Sequence, residues 1–229
     1  MSSNNERLKV VAEGLGELNS RVVFVGGCVA QLYVTDPAAA DVRPTDDVDC
    51  VVDLSSYSDY NMFSELLRGR RFRNSTRPGD PLCRWTFQDE IVDIMPYEDS
   101  PIGPSNRWYK PGMRQRVVYE VSQGVMIQIL PVVYYIATKL EAILSRGGDD
   151  LRFSHDFEDV IYILHFSSEF ESQFASTEDL KLKRFLKEQF STLLKRPFIT
   201  EEILSALPYG EGGDVTKILS VMKSITNDC

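Results

Sequence analysis

The sequence predicts an α+β protein in two parts: residues 1–130 as a mixed sheet with flanking helices, and residues 131–229 as a helical domain. Three observations predict it. Before Pro131, short β-branched and aromatic runs are separated by turn chemistry at RPGDP, QDE and EDSPIGPSN. After Pro131, apolar residues recur with the 3.6-residue period of helices. Across the first part, carboxylates interrupt strand-like runs: Asp47 and Asp49 in RPTDDVDCVVD, and Asp93 in EIVDIM.

Taken in order, residues 5–18 place Leu8, Val11, Leu15 and Leu18 on one helical stripe. Residues 21–25 read as a strand that Gly26-Gly27 ends, and CVAQLYV then reads as a helix. TDPAAADVRP is a loop by its prolines and small residues. Residues 46–54 return to an extended pattern, and 59–68 are helical. Extended segments follow at 71–74, 82–88, 91–95, 116–121 and 125–130. The short QDE link joins the second and third of these as an antiparallel hairpin. Helices are predicted over 132–145, 155–166, 178–194 and 215–225, punctuated by Gly147-Gly148, Pro197 and EGG.

Composition excludes several classes. The polar start MSSNNERLKVVAEGL lacks the basic and apolar regions of a secretory signal, so a cytoplasmic protein is expected. The longest apolar stretch, residues 125–144, is broken by Gln128, Pro131, Lys139 and Glu141, and no membrane span is expected. Cys28, Cys50, Cys83 and Cys229 form no CxxC pair, which argues against structural zinc, and three of them lie in apolar or strand-like runs, where reduced, buried thiols are expected. A net charge of -9 disfavours general nucleic-acid binding. Yet Arg68, Arg70, Arg71, Arg73 and Arg77 form one acid-free basic group, and Arg107, Lys110, Arg114 and Arg116 form another. Either group could meet a triphosphate or an RNA end, or be a solvated face.

The carboxylates carry the chemistry. Residues two apart on a strand point to the same side, so Asp47 and Asp49 can share a cation, and a neighbouring strand could add Asp93. Mg²⁺ or Mn²⁺ is commonly held by one or two carboxylates together with substrate phosphates, which makes a nucleoside triphosphate (NTP) the expected ligand. Gly26 and Gly27 would let phosphate oxygens reach backbone N–H groups. Asp93 could complete the metal site or take a proton from an acceptor hydroxyl. Three acids in one cleft are costly unless a cation offsets them, so they form a metal site together or not at all.

A diglycine turn, then Asp-x-Asp, then a lone Asp on a later strand resembles the nucleotidyltransferase fold of the DNA polymerase beta superfamily. RPTDDVD is more specifically similar to the R-x-T-x-D-x-D form of AbiEii-type toxins from toxin-antitoxin systems. The resemblance implies catalytic and metal-binding roles for Asp47, Asp49 and Asp93. It also implies nucleotide contacts at Gly26, Gly27, Arg43 and Thr45. It extends to IATKLEAILSR and HDFEDVIYIL, where it makes Lys139 a phosphate contact and Asp156 a partner shaping the cleft. Lys139 and Arg146 share a helical face, and Asp159 is expected to point away from the buried stripe Phe157, Val160, Ile161 and Leu164. The alternative for Lys139 is a surface lysine whose stem lies on apolar neighbours. The sequence departs from the superfamily in having Gly27 where a serine is common, and His155 where the toxin-like group has Arg or Lys.

The implied activity is transfer of a nucleotide from an NTP to an acceptor hydroxyl on RNA or protein, with an antitoxin protein as a further partner. The alternatives are a small-molecule, aminoglycoside-like nucleotidyltransferase, which an acidic surface would suit, and a non-catalytic interaction protein of a toxin-antitoxin pair.

Overall fold

The computed structural model describes residues 3–54, 56–98, 102–146, 148–207 and 214–227. Gly147, the EGG segment at 211–213 and Cys229 lie outside the described residues. The chain divides into two compact units. The first is Met1–Leu32 with Arg43–Pro131, and the second is Tyr33–Val42 with Val132–Cys229.

The first unit is built on a seven-stranded mixed sheet. Its strands are β1 (Val22–Val25), β2 (Asp47–Val52), β3 (Arg73–Asn74), β4 (Arg84–Phe87), β5 (Glu90–Pro96), β6 (Val117–Ser122) and β7 (Val125–Ile129), in the order β3-β4-β5-β2-β1-β7-β6. β2 runs parallel to β5 and β1 parallel to β7, while the other neighbours are antiparallel. The 82–88 and 91–95 segments form the expected hairpin: Phe87 faces Glu90, and Gln88 takes a positive φ of 51° in the turn.

Helix α1 (Asn4–Leu15) begins with a capping box in which the Ser3 hydroxyl accepts from the Glu6 backbone and the Glu6 carboxylate accepts from the Ser3 backbone. It buries Leu8, Val11 and Leu15 completely. The stripe that predicted a helix through residue 18 ends at Leu15, because Gly16 adopts φ 54° and a 3-10 turn, Gly16–Arg21, follows. A side chain at Gly16 would collide with the Arg70 guanidinium. Helix α2 (Tyr57–Gly69) is capped by the Ser56 hydroxyl, which accepts from the Asp59 backbone. The short helix α3 (Tyr109–Arg114) lies where the sequence reading saw no helix, since Pro111-Gly112 reads as a breaker pair. Pro111 is tolerated in the first turn, where no intrahelical partner for its nitrogen is needed. The segment after the diglycine is a 3-10 helix, Gly27–Tyr33, and not the regular helix expected from CVAQLYV.

The second unit contains α4 (Val132–Arg146), α5 (His155–Phe166), α6 (Glu169–Ser176), α7 (Leu180–Leu194), α8 (Ile199–Ala206) and α9 (Val215–Asn227). The sequence reading missed α6 and α8. Each is eight residues long with two acids in its first turn and no side-chain cap bond, too short for a periodic signal. The loop 33–42 belongs here because its polar groups are satisfied by α5: the Thr35 N–H donates to the Phe166 carbonyl (3.1 Å), and the Tyr162 hydroxyl to the Ala40 carbonyl (2.7 Å). Among the described residues, no helix is long and apolar enough to cross a membrane.

Candidate metal centre

Strand register assembles the candidate site. Arg84 of β4 lies opposite Asp93 of β5, Asp93 opposite Asp49 of β2, and Asp49 opposite Val25 of β1, the residue before Gly26. These four positions form one row across four strands. Asp47, two residues from Asp49, falls on the same face. The carboxylates of Asp47, Asp49 and Asp93 offer ligand oxygens that all lie within 4.8 Å of one another. Asp93, 44 residues beyond Asp49 in the chain, thus meets the Asp47–Asp49 pair as the strand pattern predicted.

Arg84, which the sequence reading left out of the site, holds this cluster together. Its guanidinium donates to both carboxylate oxygens of Asp93 (Nε to Oδ1 2.8 Å, Nη2 to Oδ2 2.6 Å) and reaches Asp47 Oδ2 at 3.3 Å. Its only sequence signal was a lone cation placed by the hairpin directly across from Asp93. The same guanidinium also reaches Asp80 at 3.7 Å, so it is shared among several carboxylates. Burial pushes the Asp47 carboxyl above its ordinary value, Asp93 adds to the rise, and Arg84 pulls against it. An all-oxygen donor set, three clustered carboxylates and an acid made reluctant to ionise fit a hard divalent cation such as Mg²⁺ or Mn²⁺.

Removing the guanidinium separates its two roles. With Arg84→Gln, unfolding in chelator is expected to become easier by about 1–2 kcal/mol, less than a fully buried pair would give because Arg84 is partly exposed. Added divalent cation should restore more stability to this variant than to the wild type. Thermal melts with and without Mg²⁺ measure both, and a variant insensitive to Mg²⁺ would contradict the charge argument.

Gly26 is required by two independent constraints. Its φ of 73° is left-handed, and a Cβ there would sit 2.0 Å from Asp49 Oδ2. Gly26→Ala is therefore expected to cost about 1–3 kcal/mol and to weaken metal binding by displacing Asp49. Denaturant melts together with a metal titration read the two effects separately.

The approach to β2 is pinned by the first helix. Arg7, buried on α1, pairs with Glu90 (2.5 Å) and donates to the carbonyls of Thr45 and Asp46. Asn4 donates to the Arg43 carbonyl (3.1 Å) and accepts from the Thr45 backbone (3.2 Å). The Thr45 hydroxyl donates to the Asp47 carbonyl at 3.0 Å. In this arrangement the Arg43–Thr45 backbone positions the strand that carries Asp47 and Asp49. Cys28, Cys50 and Cys83 are free and buried, and burial pushes the Cys28 and Cys83 thiols up to about 12.

The second unit holds the remaining predicted residues. Lys139 on α4 is almost fully buried and pairs with Asp159 at 2.6 Å and Asp156 at 3.2 Å on α5, while the Arg146 Nε donates to Asp156 at 2.9 Å. Lys139 is thus not a surface lysine. The expectation that Asp159 points away from the buried stripe is also corrected: it is 0% exposed. The reason is that α5 is enclosed on nearly every side, with Tyr162 and Ile163 buried as well as the predicted stripe.

No protein-family model matches this sequence, and no curated protein sequence matches it. Among solved structures, the chain is similar to an antigenic nucleotidyltransferase-like protein from Paracoccidioides brasiliensis. The two share 18% identity and a TM-score of 0.51, over 89% of this chain and 93% of that one. It is also matched to JHP933 from Helicobacter pylori, at 12% identity and a TM-score of 0.45, over 96% of this chain and 89% of that one. The first likeness makes the α+β fold nucleotidyltransferase-like.

Proposed function

We propose that this protein is a metal-dependent nucleotidyltransferase that moves a nucleoside monophosphate from an NTP to an acceptor hydroxyl and releases pyrophosphate. The observation that carries the reading is the row Arg84–Asp93–Asp49–Val25, which together with Asp47, two residues from Asp49 on β2, gathers three carboxylates beside Gly26 on a nucleotidyltransferase-like fold.

Asp47 and Asp49 would hold Mg²⁺ or Mn²⁺, which when bound supplies positive charge to the triphosphate and the leaving pyrophosphate. The residues themselves do the positioning. Asp93, one strand away from Asp49, accepts the proton of the acceptor hydroxyl as that oxygen bonds to the α-phosphorus and the α–β phosphoanhydride breaks. Arg84 leaves Asp93 for this step, since a carboxylate engaged at both oxygens is a poor base, and its charge is then available to the phosphates. The side-chain-free Gly26 leaves Asp49 its room.

The toxin-like resemblance makes RNA or a protein side chain the acceptor, with an antitoxin as a binding partner. A small cationic hydroxyl compound is the second reading, favoured by the net charge of -9. Incubation with NTPs radiolabelled at the α-phosphorus, Mg²⁺ and total RNA tests the first. Label on RNA with release of pyrophosphate is expected. Label only on an aminoglycoside would favour the second reading, and no transfer to RNA, protein or small acceptors would overturn both.

A further inference from the structure

A polar cavity, about 350 Å³ in volume, opens on the sheet face that carries the acids. Val23, two residues before Val25, lines it, and Asp53 and Tyr97 lie four residues beyond Asp49 and Asp93, continuing the same alternation. At about 3.3 Å per residue, the cavity spans roughly 7–13 Å along the strands from the acid row. Helix α3 supplies its other wall. Gly112 and Met113 are buried, so the helix seats on the first unit and directs Lys110 and Arg114 to the cavity, with Arg116 following.

The charge here is opposite to that of the acid row. Arg21, Lys110, Arg114 and Arg116 line the cavity against one carboxylate, Asp53, which hydrogen-bonds Tyr97. Lys110 is already neutralised by Glu98 at 2.7 Å. Arg116 donates to the Met113 carbonyl (3.0 Å) and to the Gln128 side chain, two neutral partners that orient it and leave its charge uncompensated. Arg21 lies over the Phe63 ring, 4.9 Å from its centroid. Among the described residues, neither Arg21 nor Arg114 has a carboxylate partner. On a chain of net charge -9, three guanidiniums that converge on a cavity without paired acids meet the requirement of a phosphate, whose oxygens match guanidinium donors in pairs.

We propose that Arg21, Arg114 and Arg116 form a phosphate subsite that holds a backbone phosphate of an RNA acceptor strand, placing another part of that strand at the acid row. The identity of the ligand rests on the nucleotidyl-transfer reading; the phosphate subsite does not. It also separates the two acceptor classes, because a cationic small molecule would be repelled from this cavity.

The test starts with inorganic phosphate titrated into the full chain in chelator, where no metal at the acid row can recruit the anion. Saturable binding is expected, weakened about tenfold or more in Arg21→Gln/Arg114→Gln and not weakened in Asp47→Asn/Asp49→Asn. Both guanidiniums are at the surface, and matching thermal melts verify that the first variant is folded. In the transfer assay that variant should show a raised KM for single-stranded RNA with the KM for NTP unchanged. Absence of saturable phosphate binding, or equal binding by the Arg21→Gln/Arg114→Gln variant, overturns the subsite. An unchanged KM for RNA overturns its role in acceptor binding. Phosphate binding by a wild-type protein that transfers nothing would sink the transfer reading and leave the subsite standing.

Discussion

Asp47→Asn and Asp49→Asn are each expected to lower nucleotidyl transfer by about a thousandfold, with little loss of folding stability. The two residues face the same side of β2 and supply two of the three oxygen-ligand groups in the cluster. Losing roughly 4 kcal/mol of transition-state charge stabilisation, an ordinary share for a divalent ion on a phosphoryl group, corresponds to that factor. Stability should change in the opposite sense. Asp47 has a raised pKa in the folded chain, so the native state binds its proton more tightly than the unfolded chain does, and stability falls as pH rises through the folded value. Neutralising Asp47 removes that cost, so chelated Asp47→Asn should melt no lower than the wild type at neutral pH. Transfer rates and melts on one preparation test both halves, and an Asp47→Asn variant that retains activity excludes the site.

The second large effect lies in the helical unit. Lys139→Met is expected to destabilise the protein by about 3–5 kcal/mol, because Asp159 is fully buried and Lys139 sits 2.6 Å from it. That is a large fraction of the roughly 5–15 kcal/mol that holds a domain folded. Lys139→Met/Asp159→Leu should recover much of the loss, since an apolar pair of similar volume replaces a buried charge left without its partner. The acid limb of stability should change too. Burial works against ionisation of Asp156, but Lys139 and Arg146 more than offset it and hold its carboxyl below the ordinary range. Its contribution is therefore fully present above the unfolded carboxylate value, about 3.9, and is lost as pH falls through the lower folded value. Lys139→Met should flatten that loss below about pH 4. Denaturant melts across this range measure it, and a change under 1 kcal/mol at neutral pH would refute the buried-network account.

The carboxylate cluster was legible in the sequence for a geometric reason: period-two spacing put Asp47 and Asp49 on one face, and an acid inside IVDIM had to face a polar partner or solvent. The partner itself was not legible. Arg84 belongs to the site through the hairpin register, which aligns it with Asp93, and a lone cation on a strand does not by itself say which acid it meets. Arg7 is similar, since its burial against Glu90 and the β2 backbone depends on how α1 crosses the sheet. The longer helices were visible through their apolar stripes, whereas α3, α6 and α8 span six to eight residues and present too few turns for a stripe. Asp159 was misplaced because a single-stripe reading assumes one solvated face, and α5 has almost none.

The most direct measurement is a crystal structure of the wild type with Mn²⁺ and a non-hydrolysable NTP, with the metal located by anomalous scattering. The account predicts Mn²⁺ bound by Asp47 and Asp49 with the triphosphate beside Gly26, and the Arg84 guanidinium released from Asp93. A metal bound elsewhere, or Arg84 still clamped on Asp93 with nucleotide present, would contradict it.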